Sequence, residues 1–407
     1  MPSAAEKPPP PEAEWNFKMV AILLVLIYFA FISLGLPDGL FGAAWPIIRT
    51  EAGLPQEMGG IYSMVTSGAT ILSSLFATRI IHKLGTGKVL VISVFITSVS
   101  LLIFPLNLAG FSQPYVYMCI VGFILGLGAG CVDAGLNNYV ALHFKSSHMN
   151  FLHCFWGVGC MVSPIALSLY LQSGGSWQQT YYTIGFAQLV LAVILIFSVP
   201  LWAKVPVKPE AIHEDNTVKL TNTQTLKLPL IKTSVIAFLC YCGYEAAMIL
   251  WIPSYVIEVD GRSATVGAFF SSLFFMGITG GRFISGLLSE RVGMKNLARF
   301  GCIAAIAGII IVILPAGEVL TGVGVAMVGA GAGPFYPAMM YRTPESFGVA
   351  ASQSAIGLQM AFAYTGSTLL PPLIGLLPMK MFPFAVLALA VLTFVLSESL
   401  NYRKRKR

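Results

Sequence analysis

Apolar runs of membrane-spanning length follow one another along almost the whole chain. Twelve are read, near 18–44, 57–80, 88–106, 114–143, 149–172 and 177–203, then 233–257, 264–288, 296–314, 318–341, 350–377 and 380–400. A hydrocarbon core of about 30 Å takes about 20 helical residues to cross. In lipid every backbone N–H and C=O must be satisfied within the protein, which leaves helices and closed barrels. These runs are continuous, whereas barrel strands alternate over about ten residues, so helices are expected. Only 10% of the 407 residues are charged and 56% are hydrophobic, against about 25% charged in soluble domains. Burial inside a globule cannot absorb that much apolar surface. The expected fold is an all-α membrane protein of twelve transmembrane helices.

Lysine and arginine set the expected orientation. With an even number of spans both termini share a side, and 20 of the 24 basic residues fall there, including Lys83, Lys88, Arg291 and the closing "RKRKR". That side is read as cytoplasmic, and the membrane as the plasma (inner) membrane. The net charge of +7 then reflects topology and headgroup anchoring. Nucleic-acid binding would need a basic soluble face, which the pattern does not supply. Residues 1–17, with "KPPPPEAE", read as a disordered cytoplasmic tail, and 401–407 as a basic one. The seven cysteines all fall inside spans, so they read as small packing residues, not as disulfides or a zinc site.

An internal duplication organises the chain. The polar stretch 204–232 separates an N-terminal half, 18–203, from a C-terminal half, 233–400, with six spans each. Asp38 precedes Pro46 by eight residues and Glu245 precedes Pro253 by the same interval, at a shift of 207. Gly159 and Pro164 match Gly366 and Pro371 at that same shift, and the loop "HKLGTGK" matches "ERVGMKN" within one residue of it. Repeated six-span units with short loops are the layout of a carrier that rocks about a site between its halves at mid-membrane.

At this point the chain resembles the major facilitator superfamily over its whole length. Glu290, Arg291 and Gly293 are similar to that superfamily's loop motif, and Gly85 and Lys88 stand in the first-half copy, where His82 replaces the usual acid. In the family this motif is thought to latch one state through an acid placed on a helix dipole. The departure at His82 puts that latch in doubt for the first half.

Charges inside spans are expensive and point to function. Four are read here: Asp38, Asp133, Glu245 and Arg282. Asp38 follows "GLP", so the first helix is expected to break or kink there, either opening an ion site or merely capping the next turn. Asp133 and Asn137 share a helix face, with Asn138 roughly 100° further round. Their groups suit the paired hydroxyls of a polyol, or else bond neighbouring helices together. In span five Asn150, His153 and Trp156 recur at helical spacing. Trp156 offers a flat face to a sugar ring, and the alternatives are an interfacial anchor and a packed histidine. Glu245 and Arg282 are expected to form a buried ion pair. Gln353, Gln359 and Tyr364 in span eleven are further candidate ligands.

"GCVDAGLNNYVAL" with "MNFLHCFWGVG" resembles the fucose:proton symporter family, which includes fucose permeases and the animal sodium-dependent glucose transporter. That resemblance implies a secondary sugar (hexose or deoxyhexose) symporter, with Asp38 and Asp133 as coupling carboxylates and Asn137 at the sugar. Asp133 stands where fucose permeases carry glutamate, and His153 replaces an amide, which leaves sugar and ion open. Proton coupling is preferred and sodium is kept as the alternative. No cofactor or metal is expected, and a monomer is. A multidrug efflux antiporter is disfavoured because "GVGCMVSP" lacks the glycine-proline-glycine-glycine signature of such carriers. An enzyme is disfavoured for want of a nucleophile and base constellation, and a non-transporting receptor because it would not need the duplication. We predict that reporters active only in the cytoplasm, fused separately to each terminus, will both give signal. A silent fusion at either end would reverse the orientation.

Overall fold

The structure, a computed structural model, describes residues 17–109, 113–144, 146–202, 204–205, 221–314 and 317–405. The N-terminal half comprises α1 (Phe17–Ala52), α2 (Met58–Leu84), α3 (Thr86–Ile103), α4 (Pro114–His143), α5 (Ser146–Gln172) and α6 (Trp177–Trp202). The C-terminal half comprises α7 (Ile231–Glu258), α8 (Ala264–Val292), α9 (Met294–Ile313), α10 (Glu318–Ala332), α11 (Val349–Gly375) and α12 (Phe382–Arg405). Short helices Phe335–Tyr341 and Thr343–Phe347 join α10 to α11. No strand occurs among the described residues. The expected tail 1–17, apart from Phe17 at the start of α1, and much of the expected linker 204–232 lie outside the described residues, as do the last residues of the tail 401–407.

By length and composition, eleven segments among the described residues are able to cross a membrane, the tenth helix being counted together with the short helix after it as Glu318–Tyr341. The twelfth, α11, is 27 residues long but interrupts its apolar run with Gln359, Thr365, Ser367 and Thr368. A helix that faces other helices tolerates such residues better than one facing lipid. Span ten, expected as one run over 318–341, stops at Ala332 and resumes at Phe335. Pro334 lacks the N–H that would continue the ladder, which accounts for the interruption.

The two halves repeat one packing pattern. In the first, α1 lies on α5, α2 on α4, and α3 on both α4 and α6; in the second, α7 lies on α11, α8 on α10, and α9 on both α10 and α12. The likeness extends to single atoms. A methyl group on Gly159 would sit 2.1 Å from the Ile32 carbonyl oxygen, and one on Gly366 would sit 2.1 Å from that of Leu239. Both partners are displaced by the 207 residues found in the sequence. The loop glycines match as well, since Gly85 has φ 82° and Gly293 has φ 80°, a conformation that only glycine adopts without strain.

The expected break at Asp38 does not occur: α1 runs unbroken through Pro37 and Pro46. Proline at 37 leaves the carbonyl of Ser33 without its i+4 donor. Gln188 of α6 supplies the replacement, its Nε2 donating to Ser33 O while its Oε1 accepts from Thr97. A buried glutamine thus repairs the helix and keeps it continuous. Replacing Gly159 by alanine should overpack the α1–α5 contact and destabilise the protein by about 1–3 kcal/mol. A lower apparent melting midpoint in detergent would register it, and an unchanged midpoint would show that the helices can part at no cost.

Candidate functional site

Helices α5 and α8, α2 and α11, and α1 and α7 meet across the seam between the halves. Chain direction places Phe17 and Arg405 at one end of the bundle, here the terminal end, and Ala52 and Glu258 at the far end. At the far end Arg49 pairs with Glu258, and Ser168 Oγ donates to Thr265 O at 3.2 Å. There too a methyl on Gly60 would meet Pro372 at 2.6 Å. Midway, a methyl on Gly157 would lie 2.2 Å from Thr279 Oγ1. These contacts close the seam from its middle to the far end. Midway along α11 Tyr364 is exposed within reach of Asp133, and closer to the terminal end His153 is exposed within reach of Arg282, so a crevice opens from mid-bundle toward that end; Asn138 is exposed further along α4.

Asp38, on α1, is exposed in this crevice while Pro37, Gly39 and Leu40 beside it are buried. Its Oδ2 accepts the indole N–H of Trp156 at 2.9 Å. The guanidinium of Arg282 stands over the same indole, 5.6 Å from the ring centroid, and Phe275 meets it edge-on at 6.2 Å. Arg282 Nη2 in turn lies 3.4 Å from Glu245 Oε1, both side chains being largely buried, at 18% and 12% exposure. The repeat therefore places an acid at equivalent points of α1 and α7 but gives a basic partner only to the second. Among the described residues neither Asp38 nor Asp133 makes an ion pair.

Asn137 differs from its expected role. Its Nδ2 donates to the carbonyl of Asp133 at 2.9 Å and to the carboxylate at 2.8 Å, so the amide holds the acid in place and offers a ligand only its oxygen. Trp156 was expected to present an open face to a sugar, yet Arg282 covers one face of the ring. Gln359 is corrected outright. It is 1% exposed, donates to Ser234 Oγ at 2.7 Å and accepts from Thr343 Oγ1 at 2.9 Å, which makes it a brace between helices and not a crevice ligand. His153 is exposed in the crevice and meets Phe31 edge-on at 5.8 Å. The side chains of Asn150 and Gln353 lie outside the described residues. Of the loop-motif residues, Gly85 between α2 and α3, Lys88 in the first turn of α3, and Glu290 and Arg291 in the last turn of α8 are exposed, and Gly293 is half-buried.

Three features escaped the sequence reading. Tyr336 lies close enough to Asp133, Tyr364 and Arg282 to feel their charges; its only signal was an aromatic residue between two prolines. Tyr28, whose hydroxyl meets His148 Nδ1 at 2.7 Å, ties α1 to α5 near the terminal end. Arg49 and Glu258 were visible as opposite charges at the ends of equivalent spans one and seven, which the duplication brings together.

Residues 27–371 match the family model of the Major Facilitator Superfamily. The chain belongs to that superfamily. It is 23% identical to the glucose/mannose transporter GlcP of Bacillus subtilis (strain 168) over 268 residues, 65% of each chain, so the match spans about two thirds of that relative. It is 22% identical to the uncharacterized transporter y4wD of Sinorhizobium fredii (strain NBRC 101917 / NGR234) across 91% of this chain and 96% of that one. Among solved structures, an inward-facing, occupied bacterial homolog of the human lysosomal transporter Spinster superposes with a TM-score of 0.70, at 12% identity, covering 95% of this chain and 97% of that one. A point variant of the E. coli fucose:proton symporter FucP superposes with a TM-score of 0.61 at 15% identity, covering 93% and 98%. The protein is thus a multi-span, helical, membrane-embedded member of this transporter superfamily.

The far-end pair Arg49–Glu258 is partly exposed and should contribute less than about 1 kcal/mol to closure. Arg49→Ala should raise the labelling rate of a cysteine placed at Ser168 by a few-fold while leaving the fold intact. An unchanged rate would mean that helix packing alone seals that end.

Proposed function

We propose that the protein is a proton-coupled sugar symporter working by alternating access, with hexoses or deoxyhexoses as cargo. The observation that carries this reading is the charge balance of the crevice. Glu245 has Arg282, whereas among the described residues Asp38 and Asp133 have only hydrogen-bond donors, Trp156 and Asn137. Two anionic groups in a site that must close to water require neutralisation, because charge in a low-dielectric interior is costly. A proton on either carboxylate lowers the cost of closure, and loading of the cargo and loading of the proton then favour the same transition. Sodium would achieve this by pairing with the same carboxylates and is the alternative to be tested.

A neutral polyol suits the remaining surface. Asn138, His153, Tyr336 and Tyr364 offer donors and acceptors without a free positive charge, as hydroxyl recognition needs. The engagement of Arg282 by Glu245 weighs against an anionic cargo. The sugar relatives GlcP and FucP support the same class. The excess of basic residues at the terminal end supports cytoplasmic termini, a plasma (inner) membrane and a crevice that faces the cytoplasm in this state. One chain supplies both halves of the site, which supports a working monomer.

The test is uptake of labelled D-glucose, D-mannose and L-fucose into proteoliposomes with pH and sodium gradients imposed separately. Wild type should accumulate one of these sugars when the pH gradient alone is present. Asp133→Asn should bring accumulation down to equilibration while counterflow exchange continues. Accumulation that follows sodium and ignores pH would overturn proton coupling, and no uptake under any gradient would remove the sugar assignment.

A further inference from the structure

We propose that Trp156 is a positioning residue that transmits the protonation state of Asp38, in the N-terminal half, to the Glu245–Arg282 pair in the C-terminal half. The proposal rests on the reading of Asp38 as a coupling carboxylate and adds the physical route by which that carboxylate would reach the other half. Four groups form a continuous line across the seam. The Asp38 carboxylate accepts the Trp156 N–H at 2.9 Å, the indole ring lies 5.6 Å below the Arg282 guanidinium, and Arg282 reaches Glu245 at 3.4 Å. Indole has one donor and no acceptor, so its orientation in this crevice depends on the group that takes its hydrogen.

The length of the last contact is informative. Charge-assisted N–H···O bonds between guanidinium and carboxylate run to about 2.7–2.9 Å, whereas this one is 3.4 Å with a single nitrogen engaged. Arg282 is shared between the carboxylate of Glu245 and the negative face of Trp156, and fully committed to neither. A hydrogen bond to an ionised acceptor is roughly twice as strong as one to a neutral acceptor. While Asp38 is ionised it pins the indole and adds electron density to the ring, which holds Arg282 over it. Once Asp38 takes up a proton, the grip on the indole weakens, the ring is free to turn, and Arg282 can settle fully onto Glu245. The contact that breaks joins α5 to α8, helices that already touch one residue away, where Gly157 meets Thr279. Protonation in one half thereby loosens the seam between the halves.

The other titratable neighbours are few. Asp133 on α4 and Cys160 on α5 act electrostatically on or with Asp38, and His153 and Cys154 on α5 face Arg282. From α7, Tyr241 and Cys242 lie within electrostatic reach of the pair. From the far side of the crevice, Tyr336 and Tyr364 face Asp133 and not Asp38. Helix α6 carries no carboxylate, lysine, arginine or histidine, and its titratable groups are Tyr181 and Tyr182 toward the far end.

Two readouts test the link. The first is tryptophan emission of purified protein without sugar, recorded from pH 5 to 9. Subtracting Trp156→Phe from wild type isolates Trp156 from the remaining tryptophans of the chain, which has six. The difference signal should titrate, and Asp38→Asn should flatten it. A flat wild-type signal, or one that titrates unchanged in Asp38→Asn, would overturn the proposal. The second is transport of D-glucose, D-mannose and L-fucose by Trp156→Phe, which keeps a ring under Arg282 but has no donor. A single symmetric peak on gel filtration should show a folded carrier, and accumulation driven by the pH gradient should fall at least several-fold more than counterflow does. Wild-type accumulation by Trp156→Phe would overturn the proposal and leave Asp38 as a coupling residue. Wild-type accumulation by Asp38→Asn would instead overturn the coupling reading, and the sugar-free titration would still decide whether Trp156 answers to Asp38.

Discussion

An ionised side chain in hydrocarbon costs several kcal/mol unless water or a partner reaches it. The helices of this protein are arranged so that each such group meets one or the other. Asp38, Asp133, Glu245 and Arg282 sit on α1, α4, α7 and α8, and the crevice and the seam between the halves receive all four. Their placement dictates which face of each helix turns inward. It also dictates that the seam cannot be a permanent apolar core, because closing it over unpaired carboxylates carries a penalty that only a bound ion or proton can offset. Under the proposed symport, movement between the halves and occupancy of the carboxylates are linked by that same electrostatic cost.

The scaffold meets a second demand of the bilayer, that no backbone group be left unsatisfied. Pro37 orphans a carbonyl on α1, and Gln188 reaches from α6 to take it. Gln359 performs a related service between Ser234 and Thr343 in the other half. Both glutamines are polar residues inside spans, the signal that also marks a binding site, and burial alone separates the two uses. Glycine supplies the closeness that makes such bridges short. At Gly159 and Gly366 a helix backbone approaches its neighbour so nearly that any side chain would collide with a carbonyl oxygen.

Duplication gave the halves one architecture, and divergence gave them different electrostatics. Asp38 and Glu245 occupy the same point of the repeat. One acid is neutralised by Arg282 while the other meets only an indole N–H and the water of the crevice. This asymmetry suits the proposed coupling, since the carboxylate without a basic partner is the one whose charge a proton can change. Trp156 stands between the two arrangements and touches both.

Much of the fold was legible in the residues because a bilayer leaves few choices. Twelve apolar runs of spanning length, a shift of 207 common to Asp38, Gly159 and Pro164, and the crowding of lysine and arginine at one end are all properties of the linear chain. They determined the helices, the two halves and the four intramembrane charges. Pairing is another matter, because it depends on rotation of each helix about its axis and on which helices adjoin. Tertiary structure alone withdrew Gln359 into the packing, kept α1 whole through Pro37, and laid Arg282 over the ring whose N–H is held by Asp38. Sequence specifies which groups are too costly to leave in lipid, and only the packed bundle decides what each of them meets instead.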